Sequence, residues 1–151
     1  MKSKLVARDE KRTWVLVFET GDEAVALLQT FAREQGLRGS HFTAIGAFSE
    51  ARLGYFEWEK RRYREIPVRE QVEVLSLVGD VAEGKDGPAI HAHVVLGRAD
   101  GSTCGGHLLE GRVRPTLELV LTETPRHLVR VHDPEAGIAL IDLSRTDAAQ
   151  R

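Results

Sequence analysis

The stretch Ile90-His91-Ala92-His93-Val94-Val95-Leu96-Gly97-Arg98-Ala99-Asp100-Gly101-Ser102-Thr103-Cys104-Gly105-Gly106-His107-Leu108 decides how this chain folds. Its first seven residues are apolar and β-branched around two histidines, which predicts a strand. Residues two apart on a strand share a face, so His91 and His93 project together. A hairpin signal follows, with two readings. A two-residue Asp100-Gly101 turn sets His107 opposite Val94, away from the histidine face. A three-residue Ala99-Asp100-Gly101 loop, with Gly101 left-handed, sets Arg98 opposite Ser102 and His93 opposite His107. Directly opposed residues have Cβ atoms roughly 4.5–5.5 Å apart. In that register three imidazoles converge, a donor set for one zinc ion with an open fourth position. The plain alternative is three unrelated surface or core histidines.

Working outward, Thr116-Leu117-Glu118-Leu119-Val120-Leu121 alternates, with Glu118 and Val120 on the face opposite the leucines. If Glu110-Gly111 makes a tight turn, Glu118 falls on the histidine face. There its carboxylate could bind a metal or act as general acid or base beside it. The alternative is a solvent-facing residue on a half-exposed strand. Glu73, in Val72-Glu73-Val74-Leu75, offers the same chemistry without a fixed face. Cys104 lies on the opposite face from His107 and reads as a small buried thiol, unless a bulge at Gly105-Gly106 turns it inward. His41, His127 and His132 read as surface residues.

Upstream, Arg12 to Glu19 forms a strand. Thr20-Gly21-Asp22-Glu23 resembles a capping box with Thr20 as N-cap, opening a helix on the stripe Val25, Leu28, Ala32 that Gly36 ends. His41–Phe48 and Ala51–Trp58 read as a hairpin bent at Ser49-Glu50. Val72 to Val81 is a strand, with a turn over residues 83–88. His127–Val131 and Ile138–Leu143 are shorter strands. Residues 1–11 form an N-terminal segment, 12–143 the domain, and 144–151 a polar tail expected to be disordered. The fold class is α+β: one domain, a mostly antiparallel sheet and one main helix. Leu53, Tyr55, Phe56 and Trp58 add more apolar surface than one helix covers. Burial against a second copy, or a closed barrel, would absorb it.

The 151 residues are 42% hydrophobic and 29% charged, ordinary for a globular chain. A net charge of −2 lacks the basic footprint of phosphate-backbone binding. Lys60-Arg61-Arg62-Tyr63-Arg64 reads as a solvated loop. One cysteine excludes an internal disulfide. No apolar run approaches the roughly 20 residues that span a bilayer, and Met1-Lys2-Ser3-Lys4-Leu5 has no secretory core behind it, so a cytoplasmic location is expected. Gly-x-Ser-x-Gly, Walker-type and Gly-x-Gly-x-x-Gly signatures are missing.

Several blocks occur together in order: Ala44-Ile45-Gly46-Ala47-Phe48-Ser49, Leu53-Gly54-Tyr55-Phe56, Tyr63, Glu73-Val74-Leu75-Ser76-Leu77-Val78-Gly79, the histidine strand through Gly97, Gly105-Gly106-His107-Leu108 and Thr116-Leu117-Glu118-Leu119. Together they resemble the plants-and-prokaryotes-conserved (PPC) domain, over residues 12–143. The resemblance implies an α+β homotrimer similar in fold to acetolactate decarboxylase, whose zinc sits on an H-x-H pair and a later histidine. By position the zinc ligands would be His91, His93 and His107, and the resemblance favours the register that unites them. Glu118 and Glu73 match family blocks without an assigned role. Two functions follow as expectations. One is a metal-dependent lyase or hydrolase for a small oxygenated molecule. The other is a non-catalytic regulatory or oligomerisation module, which by family would carry a DNA-binding label. Plant members pair the domain with AT-hooks, but Gly111-Arg112-Val113-Arg114-Pro115 lacks the hook's central glycine.

Overall fold

The computed structural model describes residues 1–8, 11–124 and 126–145. In chain order the elements are β1 (Lys2–Arg8), β2 (Arg12–Glu19), α1 (Ala24–Glu34), β3 (Gly39–Glu57), β4 (Arg62–Val68), β5 (Val72–Gly84), β6 (Gly87–Gly97), β7 (Thr103–Glu123), β8 (Arg130–Asp133) and β9 (Ile138–Ile141). Seven strands form one antiparallel sheet in the order β1-β2-β7-β6-β5-β3-β4, and β8 pairs with β9 in a separate ribbon. β3 also pairs with β7, so β7, β6, β5 and β3 close into a barrel. This is the expected α+β architecture with one α-helix among the described residues; closure buries Leu53, whereas Tyr55 and Trp58 stay more than half exposed.

Two long strands make the closure, where shorter ones were expected. β3 runs unbroken through Ser49 and Glu50, with Glu50 opposite Arg112 and Ala51 opposite Gly111. No hairpin bends there. Its register against β5 and β7 shifts around Gly46, irregularities that curve a strand without ending it. Nor does Glu110-Gly111 form a turn, because β7 continues to Glu123. Gly111 is needed for packing: a Cβ there would stand 2.6 Å from the Phe48 ring. Alternation along β7 buries Leu117, Leu119 and Leu121 against Phe18, Phe42 and Phe48 and leaves Glu118 and Val120 outside. α1 lays Leu28, Phe31 and Ala32 on the same core.

The helix starts three residues later than a Thr20 cap would place it. Glu23 itself is the N-cap, accepting from the amides of Val25 (3.3 Å) and Ala26 (2.6 Å), while the Thr20 hydroxyl donates to the Pro115 carbonyl. The Glu23 carboxylate also accepts from the Gly111 amide at 2.9 Å, tying the helix start to β7. Glu23→Ala therefore loses a cap and strands an amide. We expect a destabilisation of about 1–2 kcal/mol, seen as a lower urea midpoint at unchanged slope.

Other boundaries move as well. The N-terminal segment contributes β1, paired with β2. The basic cluster is largely strand rather than loop: Trp58–Lys60 forms a 3-10 turn, Arg61 adopts φ 49° and β4 begins at Arg62. The strand expected from His127 starts at Arg130, and the last ends at Ile141 before a 3-10 turn over Leu143–Arg145. That turn takes in the first two residues of the expected polar tail; the rest of the tail lies outside the described residues. No described helix is long and apolar enough to cross a membrane.

Candidate metal centre

The β6–β7 turn takes the three-residue form. Gly101 has φ 82° and donates to the Arg98 carbonyl (2.9 Å), and the Arg98 amide donates to Ser102 (2.8 Å). Gly97 then opposes Thr103, and His93 opposes His107. On the other side, β5 and β6 meet through Lys85-Asp86, so Gly84 opposes Gly87 and, counting back, Asp80 opposes His91. Gly54 of β3 pairs with His107, and the Tyr63 ring occupies the space a Cβ at Gly54 would take, 2.8 Å away. From there Tyr63 stacks on His107 at 4.7 Å between centroids.

One nitrogen from each of His91, His93 and His107 lies within 4.8 Å of the others. The Nε2 atoms of His91 and His93 are 3.2 Å apart. Nδ1 of half-buried His107 has no hydrogen-bond partner among the described residues. Arg130, only 9% exposed, crosses from β8, donates through Nη2 to both Asp80 oxygens (2.8 and 3.1 Å) and lies with Nη2 3.3 Å from Nδ1 of His91. Its Nη1 donates to the Ala139 carbonyl, and its Nε has no acceptor among the described residues.

Burial is the main cause of a depressed His107 pKa, lowered to about 4, with His91, His93 and Arg130 adding repulsion. Burial, then Arg130 and His93, also lowers that of His91, against an opposing pull from Asp80. Both rings are therefore neutral near pH 7, the form in which imidazole ligates metals. Three clustered imidazole nitrogens suit a borderline divalent cation such as zinc. For the metal-free protein the sign is fixed. An unfolded histidine titrates near 6.5. Between that value and about 4 the unfolded chain binds more protons, so stability is full above pH 6.5 and falls as pH drops through this window. Urea midpoints from pH 7.5 to 4 should show the decline, and His107→Gln should flatten it; a midpoint rising with acid would contradict it.

Glu118 does not join the histidines. It is exposed beside Ile45 and Val120, and the row Val120–Thr43–Val78–His93 places two strands between that site and the histidines. The tight turn that would have brought it over is absent. Glu73 is exposed opposite Gly97. Cys104 packs against the core, as a small thiol would, while a Cβ at Gly105 or Gly106 would crowd the Val94 or Gly54 carbonyl (2.7 and 2.9 Å). His41 and His132 are exposed and His127 is half-buried. Asp80, Arg130 and Tyr63 are the neighbours that motif reading misses. Counting back from the Lys85-Asp86 turn would have found Asp80.

A family model for the Plants and Prokaryotes Conserved (PCC) domain matches residues 6–125. The chain belongs to this family. Among solved PCC-like structures, the plant- and prokaryote-conserved protein of Pyrococcus horikoshii is 32% identical, with a TM-score of 0.81 over 87% of this chain and 91% of its own. A metal-containing protein from Archaeoglobus fulgidus is also 32% identical, with a TM-score of 0.79 over 93% and 99%. A protein from Bacteroides thetaiotaomicron, described as a candidate DNA-binding protein, is 26% identical, with a TM-score of 0.84 over 95% and 99%. Likeness to a Staphylococcus aureus protein similar to alpha-acetolactate decarboxylase, at 14% identity and a TM-score of 0.53 over 80% and 53%, is one of fold alone. Two Synechococcus proteins, each described as bifunctional protein GlmU, match this PCC domain at 29% identity over 141 residues and 32% over 120. The chain spans about a fifth of the length of these curated relatives, 21% and 18%.

Proposed function

We propose that this chain is a homotrimeric PCC protein that holds a zinc ion on His91, His93 and His107 and serves as a metal-dependent lyase or hydrolase for a small oxygenated molecule. The observation that carries the reading is the convergence of three imidazole nitrogens within 4.8 Å. The metal-containing Archaeoglobus relative supports it. When bound, zinc supplies a Lewis acid that polarises a carbonyl or lowers the pKa of water to about 7. Around it the chain's own groups have distinct tasks. Asp80 and Arg130 pair behind the ring of His91, and Tyr63 covers one face of His107 and keeps water from it. His93, more exposed, leaves the site open on the barrel's outer surface.

That surface supports the trimer. Ile45, Leu75, Val78, Val95 and Val120 point outward around the histidine row, Ile45 at 62% exposure, and together make a patch suited to burial against other copies. Elemental analysis of protein purified without a histidine tag should give near-stoichiometric metal, and light scattering three times the 16.8 kDa chain mass. Protein that neither retains zinc nor is stabilised by it sinks the metal reading; a monomer sinks the trimer.

A second reading, a non-catalytic regulatory or oligomerisation module that contacts DNA, is favoured by the description of the Bacteroides relative. It requires duplex affinity that falls steeply with salt. No retention of micromolar duplex at low salt would dismiss the DNA contact.

A further inference from the structure

Beside the histidines opens a cavity of about 200 Å³, lined by Tyr63, His91, His107, Arg130, Ile138 and Leu140 among others. None of its lining residues is acidic. Its one permanent charge is the Arg130 guanidinium, whose side chain is 9% exposed. Asp80 engages that group through Nη2, and Nη1, which carries two N–H groups, donates among the described residues to the Ala139 carbonyl alone. A buried donor with no acceptor is unfavourable, and a carboxylate is the acceptor a guanidinium fits best. Ile138 and Leu140, from the β9 wall, supply apolar surface opposite the polar groups. The volume is below that of drug-sized pockets and suits a molecule of few carbons.

We infer that this cavity binds a short-chain aliphatic carboxylate, with the carboxylate on Arg130, the chain against Ile138 and Leu140, and any 2-hydroxyl or 2-keto oxygen toward His91 and His107. The last contact rests on the metal reading; the first two do not.

Isothermal titration of the full chain with butyrate and with butyramide, in zinc-free and zinc-loaded protein, tests it. Butyrate should bind roughly tenfold or more tightly than its neutral amide in both forms. Equal affinities, or no saturation by either at millimolar concentration, overturn the inference. Arg130→Gln combined with Asp80→Asn neutralises the pair together and should abolish the preference; a retained preference overturns the assignment of Arg130. Should that double variant not fold, Ile138→Trp fills the cavity from the ribbon side. It should remove butyrate binding with zinc content unchanged, and unaltered butyrate affinity counts against the site. A gain of 2-hydroxybutyrate over butyrate seen with zinc alone supports the histidine contact. Its absence, with the butyrate preference intact, leaves the carboxylate site standing and sinks only the contact toward His91 and His107.

Discussion

His93→Ala is expected to weaken zinc binding by roughly a hundredfold or more while leaving the metal-free fold intact. Loss of an outer-shell partner alone costs about 10–100-fold in metal affinity, so loss of one of three direct ligands costs at least as much. The fold survives because His93 is exposed and packs on nothing in the core. Both halves can be read together from stability. With free zinc at about 100 times the wild-type Kd, the wild type gains about 2.7 kcal/mol, whereas a variant bound a hundredfold more weakly gains about 0.4 kcal/mol. Urea titrations with and without zinc, alongside chelator competition, measure both. Equal zinc stabilisation of the two proteins would remove His93 from the site.

Gly46→Ala should destabilise the chain by about 3 kcal/mol or prevent folding. Gly46 has φ +151°, and a Cβ there would stand 2.7 Å from Leu117 Cα and closer still to the Thr116 carbonyl oxygen. Both obstacles are β7 backbone, which no rotamer change can relieve. Gly101→Ala is the control. Its φ is +82°, but nothing lies within 4 Å of the added carbon, so only the conformational cost of about 1–2 kcal/mol applies. Comparable urea midpoints for the two variants would refute the crowding argument.

The legible parts of this chain were those governed by local rules. The β6–β7 turn could be enumerated, since a left-handed Gly101 and a period of two allow only a few registers, one of which opposes His93 to His107. The Lys85-Asp86 turn had the same power and would have given Asp80. β3 and β7 misled because their glycines and polar pairs look like turns. Ser49-Glu50 and Glu110-Gly111 carry turn composition, yet β3 and β7 lie alongside each other there and satisfy both backbones. Gly111 is small because Phe48 sits over it, a fact held 63 residues away. Glu118 stands apart from the histidines of its own chain for the same reason, its expected placement having depended on a turn that does not form. Arg130 was illegible because β8 is short and reaches the histidines only through tertiary packing.

Barrel closure leaves the seven-stranded sheet with two open borders, β1 and β4. Each is guarded. β1 presents exposed Lys2 and Lys4, and β4 presents exposed Arg62, Arg64 and Pro67, whose missing N–H interrupts any new ladder. A strand-rich chain with unguarded borders would recruit neighbours by hydrogen bonding and grow into fibrils. Here the borders repel further strands, which leaves the outward-facing patch of Ile45, Leu75, Val78, Val95 and Val120 as the surface on which the proposed trimer would close, an association that is finite and self-limiting.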